Sequence, residues 1–117
     1  GEGGFADGTA EEARFNQPCY VCCDSHGNVF VADSRNNRIR AITPSGFVVT
    51  VAGSGDAGRR DGSAVLCSFD RPYGIALDKE GNLVISDSRT SSIRCVSNIY
   101  PTLNSAVSNA QSLHETR

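Results

Sequence analysis

Methionine and tryptophan are missing altogether from the 117 residues. A translated chain needs an initiator, so a sequence that opens on Gly1 and holds no Met is expected to be processed or cut from something longer. Long apolar runs are missing too: none approaches the roughly 18 residues of a membrane-spanning helix, and none forms a secretory leader at the start. The chain has no Asn-x-Ser/Thr sequon, so glycosylation gives no hint of secretion. An excess of either charge is missing as well, with a net charge of only −2. A dedicated nucleic-acid binder usually carries a basic stripe, and nothing of that kind stands out. What is present, 38% hydrophobic and 21% charged residues, excludes a disordered tail and suits a folded domain with a modest core.

The organising feature is an internal repeat. Shifted by 54 positions, residues 1–40 match residues 55–94 at 15 places without a gap. Asp7 and Gly8 fall on Asp61 and Gly62, Phe15 on Phe69, Pro18 on Pro72 and Asp24 on Asp78. Gly27 and Asn28 fall on Gly81 and Asn82, Asp33, Ser34 and Arg35 on Asp87, Ser88 and Arg89, and Ile39 and Arg40 on Ile93 and Arg94. Val21/Ile75, Val31/Ile85 and Ile42/Val96 add conservative matches. The chain divides into repeat one (1–54), repeat two (55–97) and a segment 98–117.

Each repeat reads as short strands separated by turns. Strands are expected over 19–23 and 73–77, each entered through a proline, and over 29–32 and 83–86, which are rich in β-formers. Third strands follow over 38–43 and 92–97, and a fourth over 47–52. Turns at 24–28 and 78–82 place Gly27 and Gly81 where positive φ is needed, with Asp24 and Asp78 bonding local amides. Four short antiparallel strands make one propeller blade, so the expected fold is all-β, two four-stranded blades. Segment 98–117 is expected as a degenerate last strand or a linker, with a weak helical turn or two over 106–114 as an alternative.

These residues carry a family resemblance. Gly4 to Gly8, Ala13, Phe15, Pro18, Asp24, the run Gly27 to Asp33, Asn37 to Arg40, Ile42 to Gly46 and Val51 to Gly53 resemble the NHL repeat. The likeness spans residues 4–97. It implies an NHL-type β-propeller, incomplete as a single chain, because such rings close with about 4–8 blades. Two blades would leave apolar sheet faces in water. The expectation is therefore a segment of a larger propeller, or several copies assembling, for instance three into a six-bladed ring.

Asp33, Arg35, Arg40, Asp87, Arg89 and Arg94, with Gly27, Gly81, Pro18 and Pro72, are read as structural repeat positions. Each carboxylate is expected to accept bonds from the amides of the next turn, with Arg40 and Arg94 as partners across the blade. Arg35, Asn36, Asn37 and Arg89 form the candidate binding rim. Cys19, Cys22 and Cys23 look like half a zinc site, but strand geometry sends Cys22 to the other face, and neither His26 nor His114 sits at ligand spacing. Cys67 and Cys95 replace Ala13 and Ala41 of repeat one and are expected as small buried fillers. The disulfide state is open. The glycine-rich 53–58 lacks the Lys and helix of a phosphate loop, Asp56 and Asp61 match no calcium loop, and Arg59 and Arg60 read as solvated.

No catalytic residue, metal or cofactor is expected, and no membrane insertion. The function read from the sequence is a non-enzymatic protein–protein interaction or scaffold module, with other chains or further copies as partners. The resemblance also implies two alternatives. One is part of a propeller enzyme of lyase or lactonase type with a metal in the central channel; the other is an RNA-binding NHL domain. Nucleic acid is disfavoured by the missing basic face. The compartment is open, with an extracellular setting favoured over a cytoplasmic one.

Overall fold

A computed structural model describes residues 4–55, 67–89 and 91–115. Repeat one forms β1 (Gly8–Thr9), β2 (Pro18–Cys23), β3 (Val29–Asp33), β4 (Arg38–Ile42) and β5 (Phe47–Ala52), in the sheet order β1-β5-β4-β3-β2. Repeat two forms β6 (Pro72–Leu77), β7 (Leu83–Asp87) and β8 (Ser92–Val96), ordered β6-β7-β8. All pairings are antiparallel. These are the two propeller-type blades that the repeat implies, and the all-β reading holds.

The equivalence of the blades reaches the backbone. Gln17 and Arg71 both sit at positive φ (53° and 60°), as do Asn37 and Ser91 (53° and 54°). Both blades bulge at the same point, between Pro18 and Val21 and between Pro72 and Ile75. The turns are copies as well. Asp24 accepts the amides of His26 and Asn28, both at 2.9 Å, and Asp78 accepts those of Glu80 (2.9 Å) and Asn82 (2.8 Å). Such a loop supplies its own acceptors where the strands cannot.

Two details depart from four strands per blade. Sheet one gains the two-residue β1, whose Gly8 and Thr9 pair with Val48 and Phe47. In repeat two the chain turns at Asn98 (φ 57°) and runs as helix α1 (Ile99–Glu115) where the counterpart of β5 would be. The expected degenerate strand or linker over 98–117 is therefore replaced by a helix. Ile99 and Leu103 are buried, and Ala106, Val107 and Ala110 are half-buried, which is one helical stripe. That stripe lies against β5 of blade one.

The core is the seam between the blades. Phe30, Ala32, Ile39, Ala41 and Val49 from blade one join Phe69, Leu83 and Ile85 from blade two, with Ile99 and Leu103 of α1. β6 lies against β2 and β3. At Gly53 (φ 98°) an added Cβ would lie 2.6 Å from the Asn37 carbonyl oxygen and 3.2 Å from the Phe69 ring. No side chain fits there, because the Asn37–Arg38 backbone of blade one itself, and then the Phe69 ring of blade two, fill the space.

Candidate interaction surface

Asp33 closes β3 and is fully buried. Its Oδ1 accepts the Asn16 amide at 2.8 Å, and its Oδ2 accepts Arg40 Nη1 at 2.8 Å and Asn36 Nδ2 at 2.7 Å. Arg40, also fully buried, donates further to Asp7 Oδ1 (2.8 Å) and to the carbonyls of Ala6 (2.7 Å) and Arg14 (2.8 Å). The Phe15 ring lies 4.7 Å from its guanidinium carbon. A desolvated ion pair is stable only when its remaining polar atoms are bonded, and here they are. Blade two repeats the plan: Asp87 accepts the Asp70 amide at 2.8 Å and Arg94 Nη1 at 3.5 Å, while Arg94 bonds the Ser68 carbonyl at 2.9 Å. One detail of the expectation changes. The backbone amide that Asp33 accepts belongs to Asn16, ahead of the first strand, rather than to the following turn, and Asp87 accepts the equivalent amide of Asp70. Strand β3 is thereby tied to the entry of β2, 17 residues back.

Of the four rim residues, Arg35 and Arg89 are exposed. Asn36 and Asn37 are half-buried and engaged internally. Asn36 bonds the Gly4 carbonyl (2.6 Å) as well as Asp33, and Asn37 Oδ1 accepts the Arg71 amide at 2.9 Å, joining blade one to blade two. These two amides are joints rather than a displayed surface. Gly27, Gly81, Pro18 and Pro72 stand at the turns and strand starts where the repeat puts them.

The cysteines divide unexpectedly. Cys67 is buried as expected, but Cys95 is exposed, because β8 is the outer strand of its sheet and the Cys95 face has no sheet over it among the described residues. None of the five, all within the described residues, forms a disulfide. Burial raises the Cys22 thiol above its ordinary pKa, with Cys23 and Asp24 adding to the effect. Among the described residues no three His, Cys, Asp or Glu side chains are grouped to hold a metal. Asp56, Arg59, Arg60 and Asp61, and the 56–58 end of the glycine-rich stretch, lie outside the described residues, as does the side chain of His114.

Sequence reasoning missed two features. The first is the latch between α1 and blade one. Tyr100 Oη donates to Asp24 Oδ2 at 2.9 Å, and its ring stands edge-on to Phe30 and His26, with centroids 6.4 and 6.5 Å away. Burial raises the Tyr100 hydroxyl, and its bond to Asp24 raises it further. Burial opposes the Asp24 charge, but the bonds from Asn28, Tyr100 and His26 outweigh it and hold the carboxyl below its usual range. Beside the latch an open cleft of about 600 Å³ is lined by His26, Asn28, Tyr100, Leu103 and Asn104, among others. The second feature is an exposed tyrosine pair, Tyr20 and Tyr73, edge-to-face at 5.0 Å where β2 meets β6. The two are not repeat equivalents, so the repeat gave no signal for them; the Ile99/Leu103 spacing could have disclosed the helix.

The chain resembles known proteins over most of its length. It is 34% identical over 94 residues to Protein SUPPRESSOR OF QUENCHING 1, chloroplastic, of Arabidopsis thaliana, covering 80% of this chain and 9% of that protein. It is 30% identical over 95 residues to NHL repeat-containing protein 2 of Homo sapiens, covering 78% of this chain and 13% of that protein. Among solved structures, a Bacteroides thetaiotaomicron protein of unknown function superposes with a TM-score of 0.76 at 33% identity, over 80% of this chain and 24% of its own. An auxiliary nutrient binding protein from the same organism gives 0.73 at 28%, over 81% and 26%. No family model matches. The chain thus spans a small part of each relative.

Proposed function

We propose that this chain is a pair of NHL-type propeller blades that serves as a non-enzymatic protein-binding or scaffold module. The observation that carries the reading is the fate of the repeated polar residues. Asp33 and Arg40 are wholly buried and bonded to each other, and Asp87 and Arg94 follow the same plan. These two recurring ion pairs therefore hold each blade from within, while the recurring Arg35 and Arg89 share the surface with Ile93, Tyr73, Tyr20 and Val21. Apolar side chains in water favour contact with other chains. Likeness to NHL repeat-containing protein 2 supports the family reading, and the nutrient-binding relative shares about a quarter of its length with this chain, which fits a scaffold put to different uses.

Metal content is the test, because the competing propeller-enzyme reading needs an ion in the central channel. The purified chain, equilibrated with zinc and calcium and then desalted, is expected to retain neither at stoichiometric level. One bound ion per chain by elemental analysis would overturn the reading.

A further inference from the structure

Where β2 meets β6, at the margin of the seam between the blades, two tyrosine rings stand edge to face. The centroids of Tyr20 and Tyr73 are 5.0 Å apart and the ring planes cross at 68°. The two residues are 54% and 48% exposed, so each is held by protein on one side and open to small solutes on the other. Both strands belong to this chain and pack on each other, so the pair owes its geometry to the junction of the blades. The repeat does not produce it. The counterpart of Tyr20 is Gly74, where an added Cβ would lie 2.7 Å from Ser86 Oγ, and the counterpart of Tyr73 is Cys19. Repulsion from the Tyr20 phenolate, and then the hydrogen bond with Tyr20, raise the Tyr73 hydroxyl above its ordinary pKa, so it keeps its proton at neutral pH. The third tyrosine, Tyr100, is bonded to Asp24 and lies beside His26 and Phe30 instead. The chain has no methionine, a common target of oxidants, and no tryptophan.

We infer that Tyr20 and Tyr73 are a site of oxidative cross-linking, at which hydrogen peroxide acting through a haem peroxidase joins the two rings as dityrosine and bonds β2 to β6. Each phenol gives up one electron and its hydroxyl proton and becomes a phenoxyl radical. The unpaired electron is shared between the oxygen and the ring carbons beside the C–O bond. Two such radicals therefore join through a carbon–carbon bond between those positions. The hydrogen on each joined carbon is then lost and each oxygen regains one, which restores both aromatic rings. In total two electrons and two protons leave the pair, and one peroxide takes them up to become two waters. A turn about the outer side-chain torsion, which is broad for tyrosine, is the motion that brings the coupling carbons together. The fold supplies the proximity that free radicals must otherwise find by diffusion, so coupling within one chain outpaces coupling between chains.

The test treats the chain, its accessible thiols first alkylated, with hydrogen peroxide and a haem peroxidase. The expected product runs as a monomer on a denaturing gel, shows dityrosine fluorescence and has lost two hydrogens by mass spectrometry. Proteolysis releases a pair of peptides linked through Tyr20 and Tyr73, and the rate of formation does not depend on protein concentration. Tyr20→Phe and Tyr73→Phe keep both rings at exposed positions and are expected to fold as the wild type does by circular dichroism. Each loses the fluorescent monomer, whereas Tyr100→Phe retains it. Dityrosine confined to covalent dimers, or absent altogether, would overturn the cross-link. So would a link within the chain that survives Tyr20→Phe, since it would have to run through Tyr100.

Discussion

Ile39 and Ile93 hold the same position in the 54-residue repeat and pair with equivalent neighbours, Ala32 and Ser86. One is wholly buried and the other is 72% exposed. Nothing in the local sequence explains the contrast, since both sit in short β-rich strands beside an arginine. What differs is the layer above them. Ile39 has blade two and α1 over it, whereas Ile93 has no sheet over it among the described residues. Burial here belongs to the stack rather than to the strand, and identical residues therefore carry different energetic weight in the two blades.

The strongest way to break blade one is at its buried ion pair. Arg40→Ala leaves the Asp33 carboxylate without its charged partner at zero exposure, and a loss of about 3–5 kcal/mol in chemical denaturation is expected. An unchanged midpoint would mean that the pair does not hold the sheet. Matched truncations then sharpen the contrast between blades. Ile39→Ala is expected to cost about 2–5 kcal/mol. Ile93→Ala, measured in dilute solution, should stay within about 0.5 kcal/mol. Equal losses would contradict the stacking account.

The smallest effect concerns the helix that stands in for a strand. Tyr100→Phe removes one hydrogen bond to Asp24 and should cost about 1 kcal/mol. The bond also has a pH window. Asp24 has a lowered pKa in the fold, so its contribution is present above the ordinary carboxylate range and fades as pH falls through the folded value. Tyr100 has a raised pKa, so its contribution is complete below the ordinary tyrosine value near 10 and fades as pH rises through the folded value. Denaturation profiles of the wild type should therefore lose this increment at both extremes, and those of Tyr100→Phe should be flatter at both.

Most of the fold was legible because the repeat could be read twice. Gly27 and Gly81 marked the same turn, and Pro18 and Pro72 the same strand start, so each assignment checked the other. The pairing of Asp33 with Arg40 was legible for the same reason, although the partner amide of Asn16 was not, since a bond spanning 17 residues leaves no mark in a local pattern. That double signal is lost where the copies diverge. Residues 99–110 carry a helical stripe of Ile99, Leu103, Ala106, Val107 and Ala110, but alignment to β5 argued for a strand, and the Ser/Asn-rich composition hid the spacing. The exposure of Cys95 was beyond reach as well: its counterpart Ala41 is buried by neighbours, and a sequence position does not state which neighbours are there.

The latch between Tyr100 and Asp24 joins residues 76 positions apart, and that separation orders events in time. Adjacent strands of blade one close loops of a few residues, whereas docking α1 closes a far longer one, at an added entropic cost of roughly 2 kcal/mol relative to a ten-residue loop. Contacts so distant form late. Because the chain is made from its N-terminus, every strand of blade one emerges from the ribosome ahead of blade two, and the Ile39 surface lacks its cover until residues 83–110 have followed. A nascent chain stalled between those points would carry an open apolar sheet, the species most in need of a chaperone.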